Sequence, residues 1–300
     1  MSFRWALAHP LLVAAFFVFV APVYADAPKG DAHFGDAQFK APRIVDGSRI
    51  VSVGGSVTEI IFALDLQDQI VAVDTTSQYP DSASSRPNVG YMRRLSAEPI
   101  LALAPSVVLA VDDAGPHTTL DQLREAGVLV VTIPDDPTPK GAVAKINHVA
   151  RLLGAPDAGR VLAARLEADL HVLEMTLAGV KARPKVLFLL SVGSGRPPLA
   201  AGANTAAAGI IALAGGANAI NAYDGYKPLS PEALVASAPD VILVTERSLK
   251  MLGGLNGIAT IPEISQTPAG KSGRIVAMNG LLLLGFGPRT GSAARDLAQT

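Results

Sequence analysis

Residues 95–111 read LSAEPILALAPSVVLAV, and residues 229–245 read LSPEALVASAPDVILVT. Both run Leu-Ser-x-Glu, then an apolar helical segment, Ala-Pro and a β-branched strand, in register throughout. The same helix–turn–strand unit is therefore used twice, which is the signature of an internal duplication. Two copies 134 residues apart (229 − 95) predict two similar lobes rather than one continuous sheet.

Working outward from the first copy, Arg49 to Val53 is a β-branched run, broken by Gly54-Gly55. Ser56 then caps a helix with Ile60, Ile61 and Leu64 on one face. "QIVAVD" and "VLVVTIP" are further strands, and "TLDQLREAG" is a helix stopped by glycine. Strands alternating with helices imply βαβ units and a parallel sheet. From Lys140 the period changes to about forty residues of helix, interrupted only at Gly154 to Pro156. The second piece, with Val161, Leu162, Leu166, Leu170, Leu173 and Leu177 on one face, exceeds the mean helix of about 11–12 residues. Strands and helices resume with "KVLFLLSV", "NTAAAGIIALAGG", the second copy of the unit and "RIVAM".

The expected class is α/β: two lobes with central parallel sheets, one long backbone helix, and a ligand cleft between the lobes. The expected segments are a signal peptide (1–25), a loose leader (26–42), an N-terminal lobe (43–137), a helical linker (138–182) and a C-terminal lobe (183–300).

Arg4, the apolar run Leu11 to Val20 and the small residues around Val23-Tyr24-Ala25 have the pattern of a secretory signal peptide. The apolar run falls short of the roughly 20 residues that span a bilayer. With no cysteine there is no lipid attachment site at the expected cleavage point and no disulfide framework. These features point to the periplasm and to a chain stabilised by its core. A formal charge of −1 offers no electrostatic case for nucleic acid.

The signal peptide, "RIVSVGGSVTEIIFALDL", "APDVILVT" and the long central helix together resemble the helical-backbone class of periplasmic binding proteins of ABC importers. "VGYMRRLSAE" and "YKPLSPEALVASAPDVILVT" resemble its haem-carrying branch. The resemblance implies that Tyr91, in Gly-Tyr-x-Arg, coordinates the iron of ferric haem b, and that Arg93 supports the phenolate. It implies two glutamates docking on an inner-membrane ABC permease, matched here to Glu59 and Glu232. It also implies an outer-membrane haem receptor upstream and a monomeric carrier.

The chemistry is coherent. A phenolate is a hard anionic donor and a haem ligand in other proteins. A free tyrosine ionises near pH 10, so it needs help at neutral pH: a ferric ion supplies most of it, and a nearby arginine favours the charged form and could hold its orientation. Taken locally, a lone tyrosine beside two arginines is also an ordinary surface arrangement. Arg93 or Arg94 could pair with a haem propionate. Arg196 in "SVGSGRPP" reads equally as a propionate partner or a surface residue, and Tyr226 and Lys227, with Tyr223, form a possible porphyrin rim. Phe286 and Arg289 in "GFGPRT" are weaker rim candidates. His33 lies in the leader, His148 and His171 fall on helices, and His117 follows a strand end and could reach the cleft. No histidine follows His171, so a histidine ligand from the second lobe is not expected.

A carrier of the same fold for a ferric siderophore or cobalamin is the alternative. A zinc or manganese carrier would need three or four clustered ligands, and the sequence shows none. No nucleophile elbow, phosphate-binding loop or dinucleotide fingerprint suggests an enzyme.

Overall fold

The computed structural model describes residues 46–193 and 197–300. The predicted signal peptide, the leader with His33, and Arg196 lie outside the described residues. The described residues fall in one compact unit.

The first lobe contains β1 (Ile50–Val53), α1 (Gly55–Ala63), β2 (Ile70–Val73), α2 (Asp81–Ser84), α3 (Ala97–Leu101), β3 (Val107–Val111), α4 (His117–Glu125) and β4 (Leu129–Ile133). Its sheet has the order β2-β1-β3-β4 and is parallel throughout. β1 and β3 lie at its centre and are buried along their whole length. That is why their sequences are unbroken apolar runs rather than alternating ones.

Two helices follow, α5 (Pro139–Leu152) and α6 (Pro156–Leu177), broken where Gly154 takes φ 74° and Pro156 starts the next helix. α6 buries Ala163, Leu166 and Leu173 and leaves Val161, Val172 and Met175 exposed.

The second lobe contains β5 (Lys185–Ser191), β6 (Leu199–Ala201), α7 (Ala206–Leu213), β7 (Ala217–Asn218), β8 (Tyr226–Pro228), α8 (Pro231–Ala236) and β9 (Val241–Thr245). Short helices α9 (Glu246–Met251), α10 (Leu255–Ala259), α11 (Pro262–Ser265) and α12 (Pro268–Ser272) lead to β10 (Ile275–Met278), α13 (Gly280–Leu284) and α14 (Thr290–Ala298). The sheet runs β10-β9-β5-β6-β8, with β7 also pairing β5. β10, β9, β7 and β5 are parallel, whereas β6 and β8 add an antiparallel edge. A wholly parallel sheet is the expectation from sequence, but β6 and β8 are three residues each, too short to show a period.

The duplicated unit is structural. Ala104 and Ala238, which precede the matching prolines, both adopt left-handed backbone, with φ 44° and 42°. The next residues also match. The Arg49 N–H donates to the Ser106 Oγ, and the Lys185 N–H donates to the Asp240 carboxylate. Each residue returns its own N–H to the carbonyl of the same partner. Ile100 and Leu234, at matching helix positions, are both fully buried.

Candidate functional site

The Tyr91 loop is held from both sides. On one side the Val89 N–H donates to Val73 O and the Thr75 N–H to Gly90 O, which extends β2. On the other, the Gly115 N–H donates to Met92 O and the Leu95 N–H to Gly115 O, which ties the loop to the turn after β3. Val89, Met92 and Leu95 are buried and pin it to the first lobe. Gly90 has φ 96°, a backbone that side chains rarely tolerate. The exposed Tyr91 thus stands on a fixed base at the carboxyl ends of parallel strands, where ligands of open α/β sheets bind.

Its phenol oxygen accepts a hydrogen bond of 2.7 Å from Arg93 Nη1. Arg93 Nη2 pairs with the carboxylate of Asp113, two residues past β3. Burial works against the charge of Arg93, but the bonds to Tyr91 and Asp113 outweigh it, and its pKa is raised. The guanidinium therefore stays a donor to the phenol oxygen.

Tyr226, on β8 of the second lobe, is close enough to Arg93 and Asp113 for their charges to act on its ionisation. Burial pushes its phenol pKa up, against a hydrogen bond from the Ala207 N–H and another with Thr205, at the start of α7. Its ring meets Phe188 edge-on, with centroids 6.4 Å apart. Successive strand residues point to opposite faces. Lys227 accordingly lies away from the group, with Nζ 5.2 Å from the centre of the Tyr223 ring. The structure joins Tyr91 to Arg93, brings Tyr226 within reach of the Arg93 charge, leaves Arg94 exposed on the Tyr91 loop, and sets Lys227 over Tyr223.

The histidines lie elsewhere. His117 is exposed at the first turn of α4, His148 is buried in α5, and His171 is exposed on α6 near Glu174. Among the described residues no group of three or more His, Asp or Glu side chains is placed to hold a metal ion.

Glu59 requires a correction. The resemblance put it on the outer surface for docking, yet it is only 5% exposed. Arg289 Nε and Nη2 each donate to one of its carboxylate oxygens, at 2.9 Å. The same guanidinium lies 3.4 Å above the Tyr79 ring centre. Arg289 is thus an interlobe anchor rather than a rim residue, and Phe286 beside it is buried. Lys145, unremarkable in sequence, is a second anchor. Its fully buried ammonium pairs with Asp135 and donates to Ser56 Oγ, Gly285 O and Phe286 O. Burial nevertheless pushes the Asp135 carboxyl up, against the pull of Lys145. The lobes also approach closely at Gly55, where a Cβ would lie 2.5 Å from Leu281.

Glu232 is exposed in the first turn of α8, beside a shallow groove lined by Val235, Pro262 and Glu263. Its own backbone N–H and Ser230 hold its carboxyl below the usual value. Glu98 occupies the matching place in the first copy of the unit, in the first turn of α3, and is equally exposed. Sequence reasoning missed it, although the repeat marked the position. It also missed Asp113, for which "VDDAGPH" at a strand end was the available signal.

Residues 50–280 match the model of the periplasmic binding protein family. The fold matches the apo periplasmic haem-binding protein RhuT from Roseiflexus sp. RS-1 at 44% identity and a TM-score of 0.81, covering 84% of this chain and 97% of that one. It matches the periplasmic haem-binding protein BhuT, in complex with two haems, at 40% identity and a TM-score of 0.78, covering 84% and 96%. The periplasmic haem-binding protein HutB of Vibrio cholerae is 37% identical with a TM-score of 0.75, covering 85% and 98%. A vitamin B12-binding protein of Yersinia pestis is more distant, 29% identical over 199 residues, which are 66% of this chain and 69% of that protein. The chain therefore belongs to the periplasmic binding protein family, on the branch of the periplasmic haem-binding proteins.

Proposed function

We propose that this chain is the periplasmic carrier of an ABC importer and that it binds ferric haem through the Tyr91 phenolate. One observation carries the reading: Tyr91 is exposed with Arg93 donating to its oxygen, on a loop fixed from both sides. Three relatives at 37–44% identity are described as haem-binding, which supports haem as the cargo. A ferric ion bound to the phenolate supplies most of the drive for ionisation, and Arg93 adds to it. Tyr226 closes the opposite side with an aromatic face kept neutral by burial. Arg94 is the candidate propionate partner among the described residues, and Arg196 is a further candidate.

Glu232 and Glu98 are the proposed docking pair for basic side chains of the permease. Both project from the same place in the duplicated unit, so two related permease surfaces can grip the two lobes alike. Glu59 is spoken for by Arg289.

The test is a haemin titration of the protein lacking its first 25 residues, beside Tyr91→Phe, followed by visible absorption. The reading requires saturable binding with a tyrosinate-type ferric spectrum that the variant loses. The second reading, a cobalamin carrier, rests on the Yersinia pestis relative. Saturable aquocobalamin binding with no haemin binding would establish it instead.

A further inference from the structure

We propose that Asp113 is a positioning residue for the iron ligand: it holds Arg93 so that Nη1 stays on the Tyr91 oxygen. The inference deepens the proposed function and rests on Tyr91 being the ligand.

An arginine on an exposed loop has a long, flexible side chain, and a hydrogen bond from it is only as constant as its aim. Half of the Arg93 side chain is exposed, at 51%. Two groups hold its head, Tyr91 on Nη1 and Asp113 on Nη2. Tyr91 cannot both orient Arg93 and be oriented by it. The fixed point has to be the carboxylate.

Asp113 is suited to that part by its backbone. It follows β3, a wholly buried central strand. On either side of it, the Asp112 N–H donates to Ile133 O and the Ala114 N–H to Val111 O. The next residue, Gly115, exchanges hydrogen bonds with Met92 and Leu95 on the Tyr91 loop itself. Carboxylate and phenol are thus carried by two segments laced to one another, and the guanidinium bridges them.

The experiment compares Asp113→Ala, Asp113→Asn, Arg93→Ala and Tyr91→Phe by haem dissociation rate and ferric spectrum. Asparagine keeps an acceptor for Nη2 without the charge, so it separates aim from electrostatics. Asp113→Ala is expected to speed haem loss about tenfold, the scale of one charge-assisted hydrogen bond. It should match Arg93→Ala, and the double variant should be no worse than either single one. Asp113→Asn should stay within about threefold of the wild type. If Asp113→Ala leaves rate and spectrum unchanged while Tyr91→Phe alters them, the positioning role is overturned. Equal effects of alanine and asparagine overturn it too, in favour of charge alone. If Tyr91→Phe keeps the wild-type spectrum, the ligand assignment has failed rather than the geometry. The haem-free protein tests the geometry separately. NMR should show separate Arg93 Nη proton signals in the wild type that merge in Asp113→Ala, and merged signals in both would refute the restraint.

Discussion

Among the described residues, two groups of a tyrosine, an arginine and a carboxylate differ in burial and aim. In Tyr79–Arg289–Glu59 the Glu59 side chain is 6% exposed and Arg289 27%, and the guanidinium carbon lies 3.4 Å from the ring centre. In Tyr91–Arg93–Asp113 the arginine and carboxylate side chains are 51% and 46% exposed, and the guanidinium meets the phenol oxygen edge-on. The first joins residues 230 positions apart across the lobe interface and uses the tyrosine only as an apolar and cation–π surface. The second leaves an exposed phenol with one donor on its oxygen. The same side-chain chemistry thus serves the architecture where it is buried and, where it is exposed, suits the proposed binding role.

The sharpest way to break this contrast is Tyr91→Phe. Groups that only hold a ligand in place are worth about 10–100-fold in metal affinity, so losing the ligand oxygen itself should cost at least that. Thermal stability should hardly change. Haemin affinity read by competition, together with a melting curve, checks both halves of the expectation.

Glu59→Gln should do the reverse. Removing one partner of a buried ion pair costs about 3–5 kcal/mol, and the partial exposure of Arg289 places the expected loss near the lower end. In a chain of this size that is a fall in Tm of roughly 6–12 °C, with the haem spectrum unchanged. By contrast, Asp113→Ala should lower stability by less than about 1 kcal/mol, the range of an exposed pair. If Glu59→Gln is thermally silent, burial does not distinguish the two groups.

Glu98→Ala with Glu232→Ala tests a third surface. The double variant should bind haem and melt like the wild type but deliver haem more slowly to a reconstituted permease. Normal delivery would remove both residues from the docking surface, and slow delivery with weakened haem binding would show that they act elsewhere.

The smallest expected effect is a pH dependence at His148. Burial, then the nearby Arg151 charge, depress its pKa from 6.5. Between the depressed folded value and 6.5 the unfolded chain binds the extra proton, so stability is present above 6.5 and is lost as pH falls through the folded value. Urea midpoints on either side of pH 6.5 should differ less in His148→Gln than in the wild type.

The parts legible in the sequence are the local ones. Apolar runs gave β1, β3, β5 and β9, a 3.6-residue period gave α5 and α6, and the repeated Leu-Ser-x-Glu unit gave two lobes. Gly90 and Tyr91 marked an unusual loop without structural help. The short edge strands β6 and β8 and the run of helices from α9 to α12 carry too few residues for a period to emerge.

The sequence by itself determined the class of fold and the order of its longer elements, and it marked Tyr91 as the candidate ligand. Each of these is written in neighbouring residues as periodicity, turn chemistry or repetition. Only the tertiary structure decided that Glu59 belongs to Arg289, that Lys145 is buried beneath the second lobe, that Asp113 pairs with Arg93, and that Tyr226 comes within reach of the Arg93 charge. These pairings join strand ends and lobes that are distant in the chain. A carboxylate or an ammonium looks the same in sequence whether it meets solvent or a partner brought to it by sheet order and lobe packing.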